Sequence, residues 1–477
     1  MQHFEHYIKF LKNTSIVFAV EVISRLLTVL FFIYAARVMG VKGFGDFSYA
    51  LAIMMIVSVI SDFGVSNLLV KMSAQSASID KNFWAYTVFR VIITIAAVLF
   101  VTVYLYTSKA GKDVLYFSML MGVGMVFGCY GQNVGFVFRG LNRMHMDGII
   151  RVSMSFITVL IGVLALRFGL GLIGIGYAYL IAYVFSSFIA FGINKKTGVI
   201  RFFQSVSYND YMYLIKASVP FFVWLLLSVI YSRADIILLQ HMRGSSEVGL
   251  YSAAGRIIDA VMIIPMGVYM GILPILSSAM AGQDIGAVES ISHLVIKYLT
   301  YLGIFIACYI AFNSDKVIEV LYSSRQYKGA ILPLQILILS TVASFIYIVL
   351  VAIIVSGRSP HLTAWLASIT TGLNVILNFV VIPKWGVLGA STVRLITELI
   401  GLILLVAYVG KYIVKIKYAA FLMPAVISSA ATGILIYKMK SLLLLPLYFF
   451  VFVFLLYVLN GIPKEELMKV KELMNKV

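Results

Sequence analysis

Ten ionisable residues stand inside apolar runs long enough to cross a bilayer. The cations are Arg25, Arg90, Arg233, Arg256 and Arg394; the anions are Glu21, Asp62, Asp235, Asp259 and Glu398. A charge facing lipid near the centre of a spanning helix costs about 2.5–3.5 kcal/mol on the insertion scale. Ten are tolerated only if they face protein, pair with one another, or line a path. Spacing favours pairing in three cases. Glu21 and Arg25 are i,i+4, as are Arg394 and Glu398, and Arg256 and Asp259 are i,i+3, each pair on one helix face. The cation type matters as well: every member of the set is Arg, with no buried Lys expected. A guanidinium presents a planar fork that holds two phosphate oxygens, whereas an ammonium is a point charge. The five arginines are therefore candidates for an anion-binding cavity. The carboxylates are candidates for a coupling proton or sodium ion, since intramembrane carboxylates are the usual relay groups. The competing reading is a set of ion pairs that lock helices together.

Other chemistry finds little support. The two cysteines, Cys129 and Cys308, lie within apolar runs and make neither a disulfide framework nor a metal-ligand spacing. The six histidines do not cluster. Gly169-Leu-Gly171-Leu-Ile-Gly174 matches G-x-G-x-x-G, but no strand precedes it and no acidic residue follows about 20 residues on, so it reads as a tight turn between helices. No nucleophile–base or metal-hydrolase motif is present, so the chain is not read as an enzyme and no cofactor is expected. The net charge of +18 is spread through short loops and forms no basic stripe, which argues against nucleic acid.

The elements that must position these charges are spanning helices. The chain is 62% hydrophobic and 12% charged over 477 residues, against roughly half and a quarter in soluble domains. Apolar runs of bilayer length, roughly 20 residues, recur along it. They predict an all-α polytopic membrane protein with fourteen helices, at about 14–36, 47–70, 83–107, 114–138, 148–167, 172–193, 213–240, 250–275, 291–312, 332–356, 361–382, 387–410, 418–437 and 442–460. Pro463 to Val477 reads as a short amphipathic helix. Lys and Arg favour the loops that an inside N-terminus would place inside, among them Arg139, Arg143 and Arg151, then Lys195, Lys196 and Arg201, then Lys411, Lys415 and Lys417. Both termini are therefore expected in the cytoplasm. On that topology Glu21, Arg25, Asp62 and Arg90 fall in the inner half of the membrane. Arg233, Asp235, Arg256, Asp259 and Arg394 fall in the outer half, with Glu398 near the midplane.

The chain also matches itself weakly. Gly40-VKGF-Gly45-DFSY-Ala50 aligns with Gly244-SSEV-Gly249-LYSA-Ala254, and Gly171-LI-Gly174 aligns with Gly386-VL-Gly389. These matches lay helices 1–2 on 7–8 and helices 5–6 on 11–12. They predict two six-helix lobes, 1–205 and 206–411, related by a pseudo-two-fold along the membrane normal, with helices 13–14 and a tail at 412–477. Pro265 to Pro274, with Gly267 and Gly271 inside it, is expected to act as a hinge.

Ala36-Arg37-Val38-Met39-Gly40 with Phe44-Gly45, then Asp62-Phe63-Gly64, Phe138-Arg139-Gly140-Leu141 and Gly249-Leu250-Tyr251-Ser252-Ala253-Ala254, resemble the polysaccharide (O-antigen) flippase family of the MATE-like transporter superfamily. The resemblance runs from about Asn13 to the C-terminus. It implies two six-helix lobes around a central cavity and alternating access. It implies as cargo a polyprenyl-diphosphate-linked oligosaccharide, carried from the cytoplasmic to the outer leaflet of a bacterial inner membrane, with other polysaccharide-assembly membrane proteins as possible partners. Arg25 and Arg90 would receive the diphosphate inside; Arg233, Arg256 and Arg394 would hold it outside. The alternatives are a cation-coupled drug exporter of the same superfamily, and, more distantly, a membrane enzyme or scaffold of glycan assembly. The segment at about 313–331, the longest outer loop expected, is short for a catalytic domain.

Overall fold

In the computed structural model the described residues are 2–75, 79–201, 208–323, 325–357, 360–416 and 418–463, with side chains described from Val22 onward. The expected helix at the C-terminal tail lies outside them. The described residues form helices and turns without strands. In chain order the helices are α1 Gln2–Asp62, α2 Val65–Ala74, α3 Ile79–Thr107, α4 Lys112–Gly140, α5 Met144–Arg167, α6 Gly171–Thr197, α7 Tyr208–Arg243, α8 Ser245–Val261, α9 Ile263–Ala281, α10 Ile285–Phe312, α11 Ser314–Tyr322, α12 Ile331–Ser356, α13 Pro360–Tyr412, α14 Ala419–Met439 and α15 Leu445–Val458.

Eleven segments among the described residues are long and apolar enough to cross a membrane, and α15 adds a shorter apolar helix. Two of the eleven hold two spans each. α1 is broken at Gly40 (φ 68°, ψ 179°) and α13 at Gly386 (φ 54°, ψ −132°). Both backbones sit where an L side chain is strained, so glycine marks the turn. Splitting these two and counting α15 brings the spans to the fourteen expected. The chain is an all-α polytopic membrane protein.

Two boundaries differ from the sequence reading. The second span ends at Asp62, not near residue 70, because Phe63 (φ 47°) and Gly64 (φ 77°) turn the chain before α2. The eighth span breaks at Met262, between α8 and α9, upstream of the Pro265–Pro274 stretch. Pro265 sits in the first turn of α9, where its missing N–H has no intrahelical partner to lose, and Pro274 is accommodated within α9. The Gly169–Gly174 turn is as expected: Gly169 and Gly171 both have positive φ, and Gly171 opens α6.

The chain packs as two compact units. The first comprises Met1–Arg256 with Asn378–Val387; the second comprises Ile257–Leu377 with Leu388–Val477. In the first, α4 is threaded with glycines that face α6. A Cβ on Gly124 would lie 2.9 Å from Leu180 Cα, and one on Gly131 would lie 3.0 Å from Ser187 Cα. Lipid supplies no hydrophobic drive between helices, so such close backbone approach is what holds a membrane pair together. Beside it, Phe83, Tyr86, Val134, Val137 and Phe138 pack with Leu68 and Leu69 of α2. In the second unit α12 is the central helix. Its Phe345, Val349 and Ile353 are fully buried against α10 and share a core with Phe421 of α14 and Phe452 of α15.

Candidate functional site

Within the first unit the turn at Gly40 and the start of α8 meet at one end of the membrane span. A Cβ on Gly45 would collide with the backbone of Ser245 and come within 3.0 Å of Gly249 N. A Cβ on Gly249 would in turn collide with the Val41 carbonyl. The approach is reciprocal, and both positions admit only glycine. Polar contacts fasten the same end. Ser245 Oγ donates to Asp46 Oδ1 (2.5 Å) and accepts from Gln240 Nε2 (3.0 Å). Glu247 Oε2 accepts from Val387 N (2.6 Å), just after the Gly386 turn, while Arg243 Nε lies 3.5 Å from its Oε1. A carboxylate at a helix N-terminus satisfies an orphan donor and complements the helix dipole. Nearby, Tyr104 Oη and His241 Nε2 are 2.7 Å apart.

At the opposite end α1 meets α7 again. Phe63 stacks on Phe222 with centroids 4.4 Å apart and planes at 17°. A Cβ on Gly64 would lie 2.6 Å from the Ser218 carbonyl oxygen. The second span is thus held at both of its ends, at Asp46 by Ser245 and just past Asp62 by α7.

The sequence-predicted charges fall into distinct environments. Arg90 of α3 is buried, 3% exposed, and its fork is filled from α4. Its Nη1 donates to Asn133 Oδ1 (2.5 Å), and its Nη2 donates to Gln132 Oε1 (2.7 Å) and lies 3.7 Å from Asp62 Oδ1. Asp62 also accepts from Ser66 Oγ (2.7 Å), and Asn133 donates to Thr87 Oγ1 (2.9 Å). The structure therefore joins Asp62 to Arg90, a pairing that spacing along one helix did not anticipate. Asp235 is buried and accepts a hydrogen bond from the Tyr251 hydroxyl. Arg256 lies with its guanidinium 3.6 Å from the centre of the Phe32 ring, a cation–π contact between α8 and α1. In the second unit Arg394 Nε lies 3.2 Å from Glu398 Oε1, as the i,i+4 spacing predicts, and Ser344 Oγ donates to Glu398 Oε2 (2.9 Å). Arg25 and Arg233 are partly buried and Asp259 is exposed, and each has interactions of its own. The Glu21 side chain lies outside the described residues.

One expectation is corrected. Lys297 of α10 is buried, 5% exposed, with its ammonium 5.6 Å from the Tyr298 ring. Arg is therefore not the sole buried cation. The sequence reading also passed over a cluster at the end of α4. Asp147 is buried and accepts from Arg139 Nε (3.1 Å) and Nη2 (2.8 Å), with Arg151 Nε at 3.3 Å. Arg90 and Arg139 both lie over the Phe136 ring, at 5.7 and 5.5 Å. Two cations on one carboxylate leave a net positive charge at this end of the unit. Asp147 and Arg151 are i,i+4, a spacing that displays this pair in the sequence. Among the described residues no group of His, Cys, Asp or Glu is placed to hold a metal ion.

This is a polytopic helical bundle with charged residues at helix breaks and interhelix contacts, and it belongs to the polysaccharide biosynthesis protein family. The family model matches residues 10–280, and the MatE model matches residues 220–380. The chain is 21% identical over 405 residues to the "Probable low-salt glycan biosynthesis flippase" of Haloferax volcanii, covering 84% of each chain. It is 22% identical over 464 residues to a second "Probable flippase" of that organism, covering 91% of this chain and 90% of that one. Its fold is similar to that of the lipid II flippase MurJ in an inward closed conformation (TM-score 0.76, 14% identity, 95% of this chain and 100% of that one). It is also similar to a multidrug-resistance MATE family transporter in an inward-facing conformation (TM-score 0.68, 14% identity, 82% and 94%).

Proposed function

We propose that the chain is a flippase for a polyprenyl-diphosphate-linked oligosaccharide, a repeat unit of a surface polysaccharide such as O-antigen. It moves its cargo from the cytoplasmic to the outer leaflet of the cytoplasmic membrane by alternating access. The observation that carries the reading is the position of the family match. Residues 10–280 hold eight of the ten intramembrane charges, all but Arg394 and Glu398. The relatives in Haloferax volcanii carry flippase names over most of the same length.

The contacts supply two gates. With the N-terminus inside, the Gly45–Ser245–Gly249 contact with its Asp46 and Glu247 fastenings is the outer gate, and Phe63–Phe222 with Gly64 is the inner one. Alternating access separates them one at a time. The lobes 1–205 and 206–411 are the moving parts in this reading. The matched glycines support the repeat: Gly40 and Gly244 both have positive φ, Gly171 and Gly386 share φ 54°, and Gly45 and Gly249 approach each other's turns reciprocally. Arg25 and Arg233 are the leading candidates for diphosphate contact. Arg256 and Arg394 follow. Arg90 is filled by Asn133, Gln132 and Asp62, so its contribution is to hold α1, α3 and α4 in register until Asp62 moves. Asp62, Asp235, Asp259 and Glu398 are the candidates for a coupling ion.

The match of the MatE model to residues 220–380 favours a second reading, a cation-coupled small-molecule exporter. Proteoliposomes of the purified chain separate the two. Movement of a fluorescent polyprenyl-diphosphate glycan between leaflets supports the flippase; export of cationic dyes with no lipid movement overturns it. Deletion in the host should leave lipid-linked glycan on the cytoplasmic leaflet.

A further inference from the structure

We propose that the groove between α4 and α6 in the first unit binds an anionic phospholipid of the cytoplasmic leaflet. The groove is a cavity of about 410 Å³ walled by Phe127 and Tyr130 of α4 and by Val184, Phe188 and Phe191 of α6. That volume lies in the range of small-ligand sites, roughly 300–1,000 Å³. Phe127 and Phe188 are 56% and 70% exposed, so the groove opens on the outside of the helix pair, away from the Arg90 network. It differs from ordinary lipid-facing surface in being concave and in having one polar end.

The polar end is built. Asn194, at the close of α6, brackets Ile200: its Oδ1 accepts from Ile200 N and its Nδ2 donates to Ile200 O, both at 3.0 Å. Arg201 N donates to Asp80 Oδ1 (2.8 Å), and Arg201 O accepts from Trp84 Nε1 (3.0 Å). The Arg201 backbone is thereby fixed twice from α3 and, through Ile200, from α6, and Arg201 lines the mouth of the groove. Lys195 and Lys196 are exposed on the same helix end. Asp80, which accepts from the Arg201 N–H through Oδ1, is one carboxylate against the three cations Arg201, Lys195 and Lys196. The mouth is therefore cationic beside an indole, a setting that attracts a lipid phosphate carrying net negative charge.

Length selects the occupant. Val184 to Thr197 is 14 residues of helix, about 20 Å long at 1.5 Å per residue. Half of a roughly 30 Å hydrocarbon core is about 15 Å. The groove thus runs from the headgroup level to the bilayer midplane, the reach of one acyl chain in one leaflet. The leaflet assignment rests on the inside orientation of Lys195 and Lys196; the site itself does not depend on what the protein transports.

The test uses the full chain in phosphatidylcholine nanodiscs, with Trp224, Trp365 and Trp385 replaced by Phe so that Trp84 alone reports. Acyl-brominated phosphatidylglycerol should quench Trp84 at a mole fraction lower by about fivefold or more than brominated phosphatidylcholine, the ratio expected for one basic residue at a lipid phosphate. Arg201→Gln should bring the two lipids together, and Val184→Phe, which fills the groove, should weaken quenching by both. Equal quenching by the two lipids in the parent protein overturns the proposal, as does a phosphatidylglycerol preference that survives Arg201→Gln. Trp84 left unquenched by either lipid, with copies cross-linking through Phe188→Cys, assigns the groove to a second copy of the chain and also overturns it.

Discussion

Gly45→Ala is the substitution whose consequence the structure fixes most closely. The added Cβ would stand 2.7 Å from the Ser245 carbonyl carbon, nearer still to its oxygen, and 3.0 Å from Gly249 N. All three are backbone atoms, so no rotamer change relieves the clash. Overpacking of this kind costs about 1–3 kcal/mol. If the Gly45 end separates during transport, the cost falls on the closed form alone. A difference of about 1–3 kcal/mol between two states shifts their ratio by roughly 5–150-fold. The readout is a cysteine at Val248, which is fully buried at this contact, in a chain whose Cys129 and Cys308 have been replaced. Gly45→Ala should raise its labelling by an impermeant maleimide added outside, at near-normal protein abundance. Gly255→Ala is the control, since a Cβ there meets nothing within 4 Å. Unchanged labelling in well-expressed Gly45→Ala protein would refute the gate and the closed state assigned to it.

Three further outcomes are expected. Arg90→Ala strips a buried cation from Asp62, Asn133 and Gln132 and should destabilise the first unit by about 3–5 kcal/mol, seen as a lower melting temperature in detergent; Asp62→Ala in the same chain should recover much of that loss. Arg25→Lys should impair glycan transport in a complementation assay with abundance unchanged, because an ammonium cannot hold two phosphate oxygens in one plane, and Arg25→Ala should be worse; rescue of Arg25→Ala by Glu21→Ala would show a structural pair instead. Reporter fusions after Lys196 and Lys417 should score cytoplasmic and one after Lys328 external, and an external score at Lys196 would reverse the gates.

Much of the architecture is set by local physics that the sequence displays. Spans of bilayer length and a membrane interior that accepts only self-satisfied backbone dictate a helical bundle. Glycines at positions 40, 171, 244 and 386 mark turns because L side chains resist positive φ. The i,i+4 spacing of Arg394 and Glu398 sufficed to pair them, since both lie on one helix. What the sequence could not decide is how each helix is rotated against its neighbours. Asp62 finds Arg90 across two helices, and Gln132 and Asn133 of α4 fill the arginine fork. Lys297 is buried by the helices around α10, a fate its own flanking residues do not specify. The break at Met262 likewise falls upstream of the prolines, because a proline in the first turn of a helix needs no kink. Helix formation is a contest between neighbours along the chain. Which charges meet depends on packing between residues far apart in sequence, and only the tertiary structure settles that.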